Sequence, residues 1–190
     1  NRMDIGSSDL ELAYEDGGIP PTDPQVIGVR YAVDIEPGST ITSATLTLQA
    51  DKADKDGTLE PVNVIIRGEL SLDAAQFEDV ANNITDRPTT AASVLWSVPA
   101  YTEIGQREQS PDLSAIIQEI IDQEGWAAGN GLVLIISDDP DNPSTGLRET
   151  EAGPGDDSVL LTVEFSFDGA GSPSPANAEV DVKAAPVLTW

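Results

Sequence analysis

The sequence contains no cysteine and no histidine. The first absence excludes disulfides, although a chain without thiols fits any compartment. The second removes the Ser-His-Asp triad, the Cys-His pair and nearly all zinc sites at once. Basic residues are scarce too: 9 Lys and Arg stand against 34 Asp and Glu, for a net charge of −25. Such a surface repels nucleic acid and anionic lipid, and it suits a salty or calcium-rich medium whose cations screen the self-repulsion. No run of 18 apolar residues is present, so no membrane span is expected. Aromatics make up only 5% of the chain, which is thin support for a sugar-stacking platform. For an enzyme there remains carboxylate chemistry of the glycosidase kind, or a Ser-Lys arrangement. The lysines are Lys52, Lys55 and Lys183, two in a polar turn-like run and one in the tail. Glu69 with Asp73, or Glu11 with Glu15, can be written as acid pairs, but acids are so abundant that chance pairs are expected. A non-enzymatic protein is the expectation.

What is present is a chain of 190 residues, 39% hydrophobic, whose apolar residues come in short spaced runs. That length suits one domain, or one domain plus an extension, with a real core. The chain starts at Asn1 rather than at a methionine, consistent with a leader already removed.

The chain is organised around residues 110–137. Ser110 is placed to cap a helix, Pro111 to fill its first position and Asp112 to face the positive end of its dipole. Leu113, Ile116, Ile117, Ile120 and Ile121 recur on one helical face, predicting a helix over 111–123 with Gly125 as its stop. Residues 132–136 are continuously apolar, as in a strand buried on both faces. Before it, residues 7–14, 25–33, 40–50, 61–70 and 92–98 read as strands, with a bulge near Ser43, and residues 73–77 as a helical turn. After it, 147–151 reads as a short edge strand and 158–167 as a strong one. Roughly eight turn-punctuated strands, one helix and no βαβ alternation predict a mainly β protein: an antiparallel two-sheet β-sandwich, jelly-roll-like, with one bridging α-helix.

The order SSDLEL, QVIGVRY, EPGSTITSATLTLQAD, IRGELSLDAAQF, NITDRPTTAASVLWSVPAY, SPDLSAIIQEIIDQEGWAAGNGLVLIIS, RETEAG and VLLTVEF, over about residues 7–166, resembles a β-sandwich module of large secreted proteins from marine and environmental bacteria. It is more distantly similar to DNRLRE-type domains, some of which are alginate-binding carbohydrate modules. The resemblance implies a secreted, non-catalytic module, extracellular or on a cell surface, and names no ligand. In the DNRLRE-type relatives an Arg-Glu pair recurs near the last strand, and Arg148 and Glu149 stand at that place.

Two acidic clusters are candidate calcium sites. Asp138, Asp139, Asp141 and Asn142 crowd four oxygen-bearing side chains together, and calcium takes six to eight such oxygens. The competing reading is a solvated acidic loop. Asp51, Asp54 and Asp56 precede Gly57, but the EF-hand pattern fails: with Gly57 at loop position six, Lys52 falls at position one and Asn63 at position twelve. A calcium site of another kind remains open there. Trp96, Trp126, Tyr14, Tyr31 and Tyr101 are candidates for sugar stacking, though the two tryptophans fit a core role better.

The end of the chain is unusual. A β-sandwich domain over 1–167 is followed by a Gly/Ser/Pro linker over 168–177 and an apolar, strand-like segment over 178–190. A strand on a leash can add to an exposed sheet edge, and on a neighbouring copy the contact builds a filament. Val180, Val182, Val187, Leu188 and Trp190 are the candidate interface anchors. The alternative is a tail folded back on its own domain. Two functions stay open: a structural subunit of an extracellular filament or surface layer, a homopolymer joined by strand exchange and stiffened by calcium, or a carbohydrate-binding module with a polysaccharide partner.

Overall fold

The computed structural model describes residues 3–14, 24–53, 59–152, 159–167, 177–183 and 185–189, the last two stretches by their backbone. Along the chain run β1 (Met3–Asp4), β2 (Asp9–Leu12), β3 (Val26–Ala32), β4 (Thr40–Gln49), β5 (Val62–Glu69), β6 (Thr89–Val98), β7 (Arg107–Gln109), α1 (Ser114–Ile121), β8 (Gly131–Asp138), β9 (Arg148–Glu151), β10 (Leu160–Ser166), β11 (Asn177–Lys183) and β12 (Ala185–Thr189). They form a six-stranded sheet in the order β1-β12-β3-β8-β5-β6, a four-stranded sheet β11-β10-β4-β7 and a small sheet β2-β9, with every pairing antiparallel. The mainly β architecture with one helix is the one the sequence predicts, with the small third sheet added.

Side-chain alternation builds the core between the two larger sheets. Ile27, Val29 and Tyr31 of β3, Val62, Val64 and Ile66 of β5, and Leu132, Leu134 and Ile136 of β8 line one side. Ala44, Leu46 and Leu48 of β4 with Leu161 and Val163 of β10 line the other, and all share one buried cluster. The opposite face of β8 is covered too. Val133 and Ile135 pack with Met3, Ala74 and Ile84 in a second cluster, so β8 is buried on both faces. The 71–88 segment that supplies this cover runs without a helix, where residues 73–77 suggest a turn of one. It is held by side chain–backbone ties: Arg30 Nε donates to the Ala74 carbonyl at 2.7 Å, and Arg87 donates to the Ala75 and Gln76 carbonyls. The expected irregularity near Ser43 is present. Glu164 pairs with Ser43 but Phe165 with Ile41, so Thr42 is the extra residue.

The helix packs across β4, β5 and β6 and so joins the two larger sheets. Ile116, Ile117, Ile120 and Ile121 are buried beneath it. It begins three residues later than predicted, because its supposed cap has another task. Ser110 Oγ accepts the Leu46 N–H, while Asp112 Oδ1 accepts the N–H groups of Ala44 and Ser114. These bonds fasten the approach to the helix onto β4. The helix ends at Ile121 with Asp122 as its C-cap, so Gly125, at φ +100°, turns the chain three residues beyond the cap rather than stopping the helix, and Trp126 Nε1 then donates to the Ile35 carbonyl.

The C-terminal segment lies within its own domain. β11 extends the four-stranded sheet beside β10, with Val180 opposite Val163 and Val182 opposite Leu161. β12 extends the six-stranded sheet, with Val187 opposite Gly28, Leu188 opposite Ile27, and Asp4 of β1 on its other side. The sequence expectation places this segment on a neighbouring subunit; in the single chain its own sheets take it. A nine-residue connection, 168–176, keeps the strand at high effective concentration beside its own edges, which favours the intrachain partner. Trp190 lies outside the described residues.

Candidate functional site

The small sheet gathers the groups that combine charge with burial. β2 and β9 pair with Leu10 opposite Thr150, Glu11 opposite Glu149 and Leu12 opposite Arg148. Period-two alternation sends Arg148 and Glu149 to opposite faces. Both are buried, at 2% and 0% exposure.

Arg148 is a clamp. Its guanidinium donates to four backbone carbonyls: Pro99 at 2.7 Å, Leu147 at 2.8 Å, Glu60 at 3.0 Å and Val98 at 3.2 Å. It also stands 5.9 Å from the centre of the Tyr101 ring, whose hydroxyl shares a 3.1 Å hydrogen bond with Thr150 Oγ1. Burial pushes the Tyr101 hydroxyl up to about 12 and lowers the Arg148 pKa. Neither group titrates near neutrality. The planar fork closes the ends of β5, β6 and β9 together, a task a lysine could not do.

Glu149 faces the other way. Its carboxylate meets the Lys52 ammonium, which also lies 3.9 Å from Asp9, and the Glu149 carbonyl accepts the Asp51 N–H. Asp9, Asp51 and Glu149 each bring a carboxylate oxygen within 4.8 Å of the others, the one such trio of potential ligand groups among the described residues. Three carboxylates could hold a metal ion. An all-oxygen donor set suits a hard cation such as calcium, and bidentate binding would supply up to six of its oxygens. Lys52 is the charge already placed there, and its side chain is 42% exposed, so a metal ion would displace it toward solvent.

Of the residues proposed as calcium ligands from sequence, Asp51 falls in this trio, while Asp54 and Asp56 lie outside the described residues. Asp9 and Glu149 are distant in sequence, and only the pairing of β2 with β9 brings them to Asp51. The Asp138–Asn142 loop is otherwise built. Asp138 accepts the Ser144 N–H and the Tyr14 hydroxyl, Asp139 accepts the Asp141 N–H, and the Asn142 N–H donates to the Asp139 carbonyl. Asp138, Asp139 and Asp141 do not converge as a ligand trio. The carboxylates of Asp138 and Asp139 accept backbone N–H groups of the loop itself, as Asx side chains commonly do.

The acid pairs read as catalytic candidates are engaged elsewhere. Glu69 accepts a 2.6 Å bond from Arg87, Asp73 accepts the Gly131 N–H, and Glu11 accepts the Gln25 side-chain amide; Glu15 lies outside the described residues. The aromatic candidates Tyr14, Tyr31, Trp96, Tyr101 and Trp126 are all at most 5% exposed, so none of them offers a ring face to a sugar. Among the described residues no helix is long and apolar enough to cross a membrane. No family model matches the chain, and no curated protein or solved structure does.

Proposed function

We propose that the protein is a non-catalytic extracellular structural module that assembles with copies of itself by exchanging its C-terminal strand segment, with calcium at Asp9, Asp51 and Glu149 as a stabilising ion. The observation behind this reading is the double use of the tail, whose two strands complete β10 in one sheet and β3 in the other. A segment that fills both slots in its own chain fills the same slots, in the same register, in a neighbour. Exchange therefore needs no new surface. The preceding sequence DGAGSPSP is the composition expected of a connection that can be redirected. A net charge of −25 opposes close approach of two copies, which suits an exterior medium rich in salt and calcium. The alternative, a polysaccharide-binding module, has less behind it: its candidate stacking rings are buried, and nine basic residues are few for an acidic glycan.

The test is to shorten the connection. Removing all of residues 168–176 leaves Phe167 alone between the paired Ser166 and Asn177, fewer than the two residues a hairpin loop needs, so it should block the intrachain closure and turn monomers into oligomers. A chain ending at Phe167 should bind a synthetic 177–190 peptide at one to one. A shortened chain that stayed monomeric and melted like the parent would refute strand exchange.

A further inference from the structure

The six-stranded sheet has a second edge, β6, and among the described residues its backbone is open over a short, defined length. Hydrogen-bond phase shows which residues face outward. The Asp139 N–H donates to the Asn63 carbonyl, so Asn63, Ile65 and Arg67 of β5 turn toward β8. Val64 and Ile66 then turn toward β6, where their partners are Trp96 and Val94. Alternation leaves Ser93, Leu95 and Ser97 with N–H and C=O directed away from the sheet. Both ends of this open stretch are stopped. At one end the Glu119 carboxylate accepts the Ala91 and Ala92 N–H groups, each at 2.8 Å. At the other, Pro99 has no N–H to give, and its carbonyl is held by Arg148.

The open positions are symmetric about Leu95, whose side chain is 61% exposed. The strand is also free of charge: residues 88–102 contain no Asp, Glu, Lys or Arg in a chain of net −25. Every other strand at a sheet edge (β1, β2, β7, β9 and β11) carries charged residues. Edge strands are commonly protected by charge or proline, and like charges directly opposite each other oppose pairing. Of these edges, β6 is the one that can lie against its own copy with no like charges facing.

We propose that β6 is a homodimerisation edge, on which two copies pair antiparallel about a twofold axis at Leu95. Leu95 then faces Leu95 of the second copy, and Ser93 faces Ser97 of the second copy on both sides. That register exchanges six backbone hydrogen bonds. The next pair outward would be Ala91 with Pro99, where Glu119 and the missing proline N–H end the ladder. The outcome is one sheet continuous through both molecules. This contact is separate from strand exchange and uses none of the C-terminal segment.

The experiment is sedimentation of the full chain over rising protein and salt concentration, with three variants. The parent should show a reversible monomer–dimer equilibrium that strengthens with salt, because screening relieves the repulsion of two acidic molecules. Leu95→Asp and Leu95→Lys should each be monomeric under all conditions while melting like the parent, since the Leu95 side chain points into solvent. Mixed one to one, they should recover a dimer, because the carboxylate introduced in one copy then faces the ammonium introduced in the other. The third variant, Leu95→Cys, introduces the sole thiol of the chain and should form a disulfide-linked dimer under mild oxidation faster than Val80→Cys, at another exposed position. A parent monomeric at millimolar concentration in high salt would overturn the proposal, as would a Leu95→Asp chain that dimerised like the parent or a mixture that did not recover the dimer.

Discussion

Lys52 places its ammonium against the carboxylate of Glu149, a side chain with no solvent exposure, while Glu11 stands opposite Glu149 on the neighbouring strand. Removing the cation leaves a buried carboxylate among acids. Lys52→Met should therefore destabilise the fold by about 3 kcal/mol, at the low end for a broken buried pair because Lys52 is partly exposed. Replacing both partners, as Lys52→Met with Glu149→Met, should recover most of the loss, since the uncompensated charge goes with the pair. Urea unfolding of the three chains measures it. A double variant no better than Lys52→Met would show that Glu149 has a role beyond meeting Lys52.

Calcium should act at the same place. Differential scanning calorimetry in low salt should show a higher melting temperature with calcium than with EDTA, by an amount equivalent to about 2.7 kcal/mol at a hundredfold excess over the dissociation constant. Asp9→Asn and Asp51→Asn should each shrink that difference, and Lys52→Met should enlarge it by removing the competing cation. Equal melting temperatures in calcium and EDTA for the parent would remove calcium from the account.

The contact between helix and sheet depends on a missing side chain. A Cβ at Gly68 of β5 would come within 2.5 Å of Ile120 Cδ1 and 2.9 Å of Ile116 Cγ2. Gly68→Ala should cost about 1–3 kcal/mol by overpacking, and Ile120→Val should relieve part of it in the double variant. Ile120→Asp should prevent folding, because the charge has no partner in the core. Circular dichroism melts decide both, and strict additivity of Gly68→Ala and Ile120→Val would mean that the two positions do not press on each other.

Asp112 gives the start of the helix an acid-sensitive fastening. Burial pushes its pKa up, but the hydrogen bonds from the Ser114 hydroxyl, the Ala44 N–H and the Ser114 N–H outweigh it and hold the carboxyl below the usual value of 3.8. A carboxyl with a lower pKa folded than unfolded contributes stability fully above the unfolded value and loses it as pH falls through the folded one. Asp112→Ala should cost about 1 kcal/mol at neutral pH, the net worth of a hydrogen bond, and the gap to the parent should close in acid. Chemical denaturation at a series of pH values tests this; a gap unchanged in acid would mean that the ionised carboxyl is not what fastens the helix.

Much of the architecture is local in origin and therefore legible in the sequence. Alternating runs such as TITSATLTLQ and VLLTVEF specify strands with one buried face, because the side-chain period of a strand is two. The run LVLII specifies a strand covered on both faces, and the spacing of Ile116, Ile117, Ile120 and Ile121 specifies a helix with one apolar face. The absence of histidine and cysteine, and the excess of acid, were likewise enough to bound the chemistry.

Tertiary structure decided everything that depends on which strands meet. Arg148 and Glu149 are neighbours in sequence, yet one clamps carbonyls of β6 and of the approach to β5 while the other faces Lys52, Asp9 and Asp51; no local pattern carries that division. The acids of the 138–142 loop look like ligands when counted, but Asp138 and Asp139 accept hydrogen bonds from the chain around them and the three aspartates do not converge, which only the course of the backbone reveals. The two-residue β1 and three-residue β7 are too short to leave a periodic signal and exist because β12 and β4 offer them an edge. The tail shows the division most plainly. Its alternation specifies strands, but a strand's hydrogen bonds go to whatever edge is within reach, and reach is set by where the edges of β10 and β3 lie in space.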